Sequence, residues 1–293
     1  MDIKRELAGL RENVPLKQHT TFKIGGPARY FYIAKTKNNL IKSVQVALKL
    51  KLPFFVLAGG SNILIRDEGF NGLVIKNETR NFKIEKEKII AESGASLAEI
   101  TEASVRAGLK GLAEAAGIPG TIGGAIYGNA GWPKGAWAIG DVAESAEILM
   151  PDGKVKKVSK KWLDFGYRES RLKKEKDVLI LEATLKLQKG DAKKLKQRTQ
   201  EILKTRNGKI PTGFSAGSVF KNPEEKSAGF LIEQCGLKGK KIGRAKISEK
   251  HANFIINLGN ATANDVLALI QLAKKEVKNK FKITLEEEII IIS

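Results

Sequence analysis

The spacing of apolar and polar residues predicts a mixed succession of strands and helices. An alternating run over residues 30–34 leads to Leu40, Val44, Ala47 and Leu48 at helical spacing within residues 37–51, with Thr36 as the cap. The apolar run 54–57 follows, completing a β-α-β unit. Further strands are predicted at 73–75, 89–91 and 178–187. Ser96-Leu97-Ala98-Glu99 reads as a capping box opening a helix to Ala107, which Gly108 ends. Residues 144–150 and 154–158 flank Pro151-Asp152-Gly153, a hairpin turn. Asp191 caps a lysine-rich helix to about Arg206, and 207–213 reads as a boundary. Beyond it come a short helix at 228–234, a strand at 253–257 and an amphipathic helix at 264–281. Val266, Leu269, Ile270, Ala273 and Val277 line the buried face of that helix. The run 283–292 is a strand interrupted by Glu286-Glu287-Glu288. The expected class is α+β with several sheets and no internal repeat.

Two glycine-rich stretches break this pattern. Ala58-Gly59-Gly60-Ser61-Asn62 follows an apolar strand and precedes another. Such a turn can point several backbone N–H groups one way, which suits a phosphate. Gly117-Ile118-Pro119-Gly120-Thr121-Ile122-Gly123-Gly124-Ala125 has too much glycine for a long helix, and its small residues let a flat ligand lie against the backbone. A single Gly-Gly-Ser is most often just a turn. The pair points to a long ligand with a diphosphate in its middle. No G-x-G-x-x-G and no P-loop occurs, so a dinucleotide would bind in another fold.

Composition narrows the choice. A length of 293 residues favours two or three domains, and 42% hydrophobic with 29% charged residues is ordinary for a folded soluble protein. No apolar stretch approaches a membrane span, and the opening Met1-Asp2-Ile3-Lys4-Arg5-Glu6 lacks the core of a secretory signal. One cysteine, Cys235, fits a reducing cytoplasm, and with two histidines, His19 and His251, it offers no zinc site. The net charge of +20 is the anomaly. Its densest runs interleave lysine with Val or Leu as solvated faces do, so the charge reads mainly as solubility and attraction for small anions. A basic nucleic-acid-binding protein is the competing reading.

Three further segments could carry chemistry. Phe165-Gly166-Tyr167-Arg168-Glu169-Ser170 sets an arginine after a glycine and an aromatic. Ser215-Ala216-Gly217-Ser218-Val219-Phe220-Lys221-Asn222-Pro223 exposes a hydroxyl with Lys221 and Asn222 nearby. The triplet before the apolar run 289–292 puts at least one carboxylate beside a core-facing residue. Each has a plainer explanation: Arg168 pairing with Glu169, Ser218 in a turn, the glutamates as a solvated strand end. Strand alternation separates Glu287 from Glu286 and Glu288 but does not choose between the last two.

Taken in order, these segments resemble the UDP-N-acetylenolpyruvoylglucosamine reductase (MurB) family. His19-Thr20-Thr21-Phe22-Lys23-Ile24-Gly25-Gly26-Pro27-Ala28 resembles its opening signature. Residues 58–67, 115–131, 166–170 and 215–223 follow, then Ser248-Glu249-Lys250-His251-Ala252-Asn253-Phe254 and the Glu-x-Glu of 285–289. The short spacing from Arg168 to Ser218 resembles the subtype without an extra substrate-capping loop. Gly128, the segment 209–214 and Arg244 depart from the family pattern.

The resemblance implies an FAD-binding module of the vanillyl-alcohol oxidase type in two lobes, residues 1–76 and 77–207, and a substrate lobe, 208–293. It implies FAD as cofactor, held by Ala58, Gly59, Gly60, Ser61, Asn62, Gly117, Gly120, Thr121, Gly123, Gly124, Ala125 and Asn129. NADPH is the implied co-substrate and a UDP-linked enolpyruvyl sugar the substrate, contacted by Tyr167, Lys221 and Asn222. Arg168 and Glu288 would polarise the substrate carboxylate, and Ser218 would deliver the proton. A carboxyl beside a carboxylate implies a raised pKa for Glu288. The implied setting is peptidoglycan precursor synthesis in the cytoplasm by a monomer with no metal, nucleic-acid or membrane partner, and through it cell shape and division. An FAD-dependent oxidase of the same superfamily is the alternative enzyme.

Overall fold

The computed structural model describes residues 3–132, 135–175 and 177–293, so Met1 and Asp2 of the opening segment lie outside it. The chain forms two compact units. One comprises Met1–Leu10, Tyr32–Gly59 and Val74–Arg206, the other Arg11–Phe31, Gly60–Leu73 and Asn207–Ser293. The chain passes between them inside two strands, Pro27–Ala34 and Phe70–Asn77, the middle strands of a four-stranded sheet flanked by Arg11–Pro15 and Phe54–Leu57.

The first unit is built on a five-stranded sheet in the order Val155–Ser159, Ala143–Leu149, Leu179–Lys186, Lys88–Glu92, Phe82–Glu85. Every neighbouring pair is antiparallel. The expected hairpin forms, with Val155 opposite Leu149 and the Gly153 N–H donating to the Met150 carbonyl. One face carries Ile89, Ala91, Ile148 and Leu185, which pack in one buried cluster with Leu97 and Ile100 of helix Leu97–Arg106 and Ile122 and Ile126 of helix Ile122–Gly128. Helix Lys37–Lys49 starts where expected, Thr36 accepting from the Asn39 N–H. At Ser96 the hydroxyl accepts from the Glu99 N–H at 3.3 Å, the serine half of the expected capping box. Asp191 accepts from the N–H groups of Lys193 and Lys194, and the helix it opens runs three residues beyond Arg206, to Lys209.

In the second unit, strands Lys241–Ile242, Ala245–Ile247 and Ile255–Asn257 form an antiparallel sheet. Helix Ala263–Phe281 belongs to the same buried cluster as Ala245, Ile247 and Ile255, and all five residues expected on its inner face are buried. Its first turn is heavily capped. Thr262 and Asp265 form a reciprocal capping box, and both carboxylate oxygens of Asp67 accept from the N–H groups of Ala263 and Asn264.

Two expected strands shorten. Residues 253 and 254 leave the strand because their N–H groups turn back on His251, that of Asn253 to its Nδ1 at 3.2 Å and that of Phe254 to its carbonyl at 3.0 Å. Of the run 283–292, only Ile290–Ile292 is strand, pairing in parallel with Ile63–Ile65. Before it the backbone bonds singly, as in the Lys221 N–H to the Glu286 carbonyl at 2.9 Å, without a continuous ladder.

His251 joins the loop 248–254 to helix Ala228–Gln234. Its Nδ1 accepts the Asn253 N–H at 3.2 Å, and its ring would lie 2.9 Å from any Cβ at Gly229. Burial pushes the imidazole pKa down, the charges of Lys238 and Lys209 push the same way, and Glu233 opposes them. The unfolded chain therefore binds more protons than the folded one below about pH 6.5, and stability falls on acidification through that range. Thermal melts from about pH 7.5 to about pH 5.5 should show a drop in Tm that His251→Gln reduces. An unchanged pH slope in the variant would remove His251 from this role.

Candidate active site

The first glycine loop leaves strand Phe54–Leu57, with Ala58 and Gly59 in the first unit and Gly60, Ser61 and Asn62 in the second. Its carbonyls face protein donors. Ala58 accepts from the half-buried Lys76 ammonium, Gly60 from the N–H and hydroxyl of Thr21, and Asn62 from the Ile290 N–H at 3.0 Å. In a trans peptide the C=O and the following N–H point opposite ways, so the N–H groups of Gly59 and Ser61 point away from these donors. That orientation suits an anion. Burial lowers the Lys76 pKa.

The glycines serve different ends. A Cβ at Gly60 would lie 2.4 Å from the His19 carbonyl oxygen, and one at Gly59 would lie 3.0 Å from the Gly120 Cα. Those two are required by close backbone approach. At Gly124 the nearest atom to a Cβ would be the Thr121 hydroxyl, at 3.7 Å. Gly128 has nothing within 4 Å, so a larger side chain would fit there. Helix Ile122–Gly128 spends its first N–H groups internally, Ile122 on Ala95, Gly123 on Ser93 and Gly124 on Thr121. What this stretch offers a ligand at Gly124 is bare backbone rather than a ring of donors.

Arg168 sits in a tight turn of the first unit. Gly166 and Glu169 exchange both backbone hydrogen bonds, at 3.0 and 3.2 Å, and Arg168 takes the left-handed conformation with φ 57°. For a bulky residue that costs roughly 1–3 kcal/mol, a strain that persists only where the surroundings impose it. They do. The Asn129 amide donates to the Gly166 carbonyl at 2.7 Å and accepts from the Gly140 N–H at 3.0 Å. The buried Ser170 hydroxyl donates to the Tyr127 carbonyl at 2.7 Å, and Lys173 donates to the Arg168 carbonyl. The Asn129 side chain thus ties the Arg168 turn, through Gly166, to the backbone at Gly140. The guanidinium lies over the half-exposed Tyr167 ring, 5.4 Å from its centre.

Ser218 and Glu288 come together in the second unit. The Val219 carbonyl accepts from the Glu288 N–H at 2.8 Å and the Ile289 N–H at 3.4 Å, which sets Glu288 beside the residue next to Ser218. Asn253 clamps the other side: its Oδ1 accepts from the Phe220 N–H at 2.9 Å and its Nδ2 donates to the Phe220 carbonyl at 2.8 Å. The glycine loop is stitched to the same strip. Asn62 donates to the Glu288 carbonyl at 3.0 Å, and Thr21 donates to the Ser215 carbonyl at 2.7 Å. The other two glutamates are held by lysines, Glu286 by Lys221 and Glu287 by Lys274. Asn222 accepts from the Ala228 N–H, so its carbonyl oxygen supports the start of a helix.

Two charged side chains at these loops escape a reading of the sequence. Lys76 lies in a strand with no motif around it. Arg206 lies in a helix whose neighbouring cations are solvated, yet it is buried and donates to the Gly117 carbonyl at 3.1 Å. Among the described residues no group of three or more His, Cys, Asp or Glu side chains could hold a metal ion, and no helix is long and apolar enough to cross a membrane.

Residues 28–159 match the family described as FAD binding domain, and residues 210–292 match that described as UDP-N-acetylenolpyruvoylglucosamine reductase, C-terminal domain. The UDP-N-acetylenolpyruvoylglucosamine reductase of Caldanaerobacter subterraneus is 44% identical over 96% of this chain and 92% of its own length. That of Clostridium botulinum is 42% identical over 95% and 90%. The solved UDP-N-acetylenolpyruvylglucosamine reductase of Thermus caldophilus superposes with a TM-score of 0.84 at 35% identity, over 97% of this chain and all of that one.

Proposed function

Because the chain belongs to the UDP-N-acetylenolpyruvoylglucosamine reductase family, we propose roles for its residues within that family's reaction. The chain is an FAD-dependent oxidoreductase of peptidoglycan precursor synthesis, with NADPH as co-substrate. It reduces the enolpyruvyl ether of UDP-N-acetylglucosamine to the lactyl ether. The residues present fit FAD: a Cβ at Gly124 would meet nothing nearer than the Thr121 hydroxyl at 3.7 Å, which leaves its backbone open to a flat ligand, and the Gly59 N–H points opposite to the Ala58 carbonyl that Lys76 holds.

When bound, FAD would supply the redox chemistry, the relay of hydride from NADPH to the terminal carbon of the enolpyruvyl group. The residues of the chain handle charge and proton. Negative charge builds on the carbon that bears the ether oxygen and on the adjoining carboxylate. We assign Arg168 to hold that carboxylate, the strained turn keeping its guanidinium in one place. We assign Glu288 to the same carboxylate, where it would carry a proton, since two charged carboxylates would repel. The Ser218 hydroxyl gives its proton to the ether-bearing carbon. Serine is a weak acid, and it suffices because that carbon is strongly basic once hydride has added. The 2.8 Å bond from the Glu288 N–H to the Val219 carbonyl carries this reading, because it holds the proposed acid and the proposed carboxyl in one strip of backbone.

The reading extends to the remaining positions. Tyr167, Lys221 and Asn222 are assigned to substrate, and Ala58–Asn62, Gly117–Ala125 and Asn129 to FAD, with Asn129 acting through its backbone because its side chain is committed. Residues 1–76 and 77–207 are assigned to FAD and 208–293 to substrate, in line with the matched ranges. We assign the reaction to the cytoplasm, where nucleotide substrates are made, and to a monomer. Its consequence for the cell is wall growth, and through it shape and division.

Ser218→Ala should leave flavin reduction by NADPH near the parent rate and slow reoxidation by the enolpyruvyl sugar by ~10²–10⁴-fold in single-turnover stopped flow. A parent-like reoxidation rate would refute the proton-donor role, and a raised KM with normal turnover would mark Ser218 as a binding residue. Gly124→Val should give a protein with parent-like Tm as apoprotein but little bound flavin, since the new Cβ makes only an ordinary contact with the Thr121 hydroxyl at 3.7 Å and the side chain occupies the ligand's space. Full flavin content in that variant, read from its absorbance spectrum, would contradict the placement of FAD there.

A further inference from the structure

Arg206 holds a charge that the protein alone does not use. It lies in the last turn of helix Ala192–Lys209, whose other cations are exposed, yet only 7% of its own surface is accessible. Its Nη2 donates to the Gly117 carbonyl at 3.1 Å, and the guanidinium lies 5.1 Å from the centre of the Trp132 ring. Its Nε lies 3.0 Å from where a Cβ of Gly117 would sit, so the side chain fills the groove that this glycine leaves. Nε and Nη1 are buried with no hydrogen-bond partner among the described residues. The positive charge of Arg168 is felt at Arg206 and, after burial, adds to the lowering of its pKa. A buried guanidinium with two unmet donors, near a second cation, is arranged for an electron-rich ligand.

We propose that Arg206 is a cofactor-binding residue whose Nε and Nη1 donate to oxygen atoms of FAD held against the Gly117 stretch. This rests on reading the chain as an FAD enzyme. Two parts of FAD present such oxygens, the diphosphate and the carbonyl edge of the ring system, and they have different consequences. A cation beside the diphosphate contributes affinity alone. A cation beside the ring also favours its electron-rich reduced form and raises its midpoint potential. A merely structural role for Arg206, through the Gly117 carbonyl, leaves the midpoint potential of the bound flavin unmoved.

The test uses the purified holoenzyme with Arg206→Met and Arg206→Lys. Flavin retained after repeated ultrafiltration and the midpoint potential of the bound flavin are measured for each. Arg206→Met should weaken apparent FAD affinity by about tenfold or more, the loss expected when charged hydrogen bonds go. If the ring is the partner, the flavin that remains should have a lower potential, partly recovered in Arg206→Lys. If the diphosphate is the partner, the potential should stay at the parent value. Parent-like retention together with parent-like potential would overturn the proposal. So would a variant whose only change is a raised KM for NADPH or the enolpyruvyl sugar, which would give Arg206 to a substrate. Should Arg206→Met fail to fold, retention in Arg206→Lys decides: below the parent supports the proposal, equal to it overturns it. A parent protein without flavin would instead remove the FAD reading itself.

Discussion

The carbonyl of Val219 fixes what the second unit can do. It accepts the N–H of Glu288 at 2.8 Å and so brings together two segments 69 residues apart in the chain. A net backbone hydrogen bond contributes only about 1 kcal/mol, so this one would be a weak anchor alone. It is not alone. The Asn253 amide pairs with both backbone groups of Phe220 on the opposite side, and Asn62 holds the Glu288 carbonyl. A strip of chain without a regular ladder thereby acquires the fixity of a strand.

The first unit solves the same problem differently. Arg168 occupies a conformation unfavourable for a large side chain, and Asn129, Ser170 and Lys173 hold the turn in place. Asn129 and Tyr127, whose carbonyl accepts from Ser170, lie within or at the end of the segment that opens with the second glycine stretch. The glycine segment and the arginine turn are therefore one mechanical piece. Each unit couples a glycine-rich segment to a group proposed for the reaction, which is how a protein can set cofactor and proton chemistry in register without a metal-like anchor.

Local pattern made much of this legible. The buried stripe of helix Ala263–Phe281, the hairpin at Pro151-Asp152-Gly153 and the Thr36 and Asp191 caps depend on neighbours in sequence, and they stand as read. The strand expected over 283–292 survives only at its end, because a ladder needs a distant partner and Ile63–Ile65 is three residues long. Glycine spelled out a ligand surface but not which glycine did what: a Cβ at Gly60 would collide with the His19 carbonyl, one at Gly124 would only touch the Thr121 hydroxyl at 3.7 Å. Asn253 was visible as part of a motif, yet its clamp on Phe220 is a long-range contact. Arg206 was invisible because a cation in a lysine-rich helix reads as solvated until its burial is seen. The +20 charge, the loudest compositional signal, settles little beyond a favourable field for anionic nucleotides.

The central claim is that Glu288, and not its neighbours, shares the reacting centre with Ser218. Glu286 is taken by Lys221 and Glu287 by Lys274, whereas the backbone of Glu288 is bound to the Val219 strip. The most direct measurement is single-turnover reoxidation of the NADPH-reduced enzyme by the enolpyruvyl sugar, comparing Glu288→Gln with Glu287→Gln. The account predicts a rate lowered by ~10²-fold or more at 288 and close to parent at 287. A damaged Glu287→Gln enzyme beside a parent-like Glu288→Gln enzyme would contradict it.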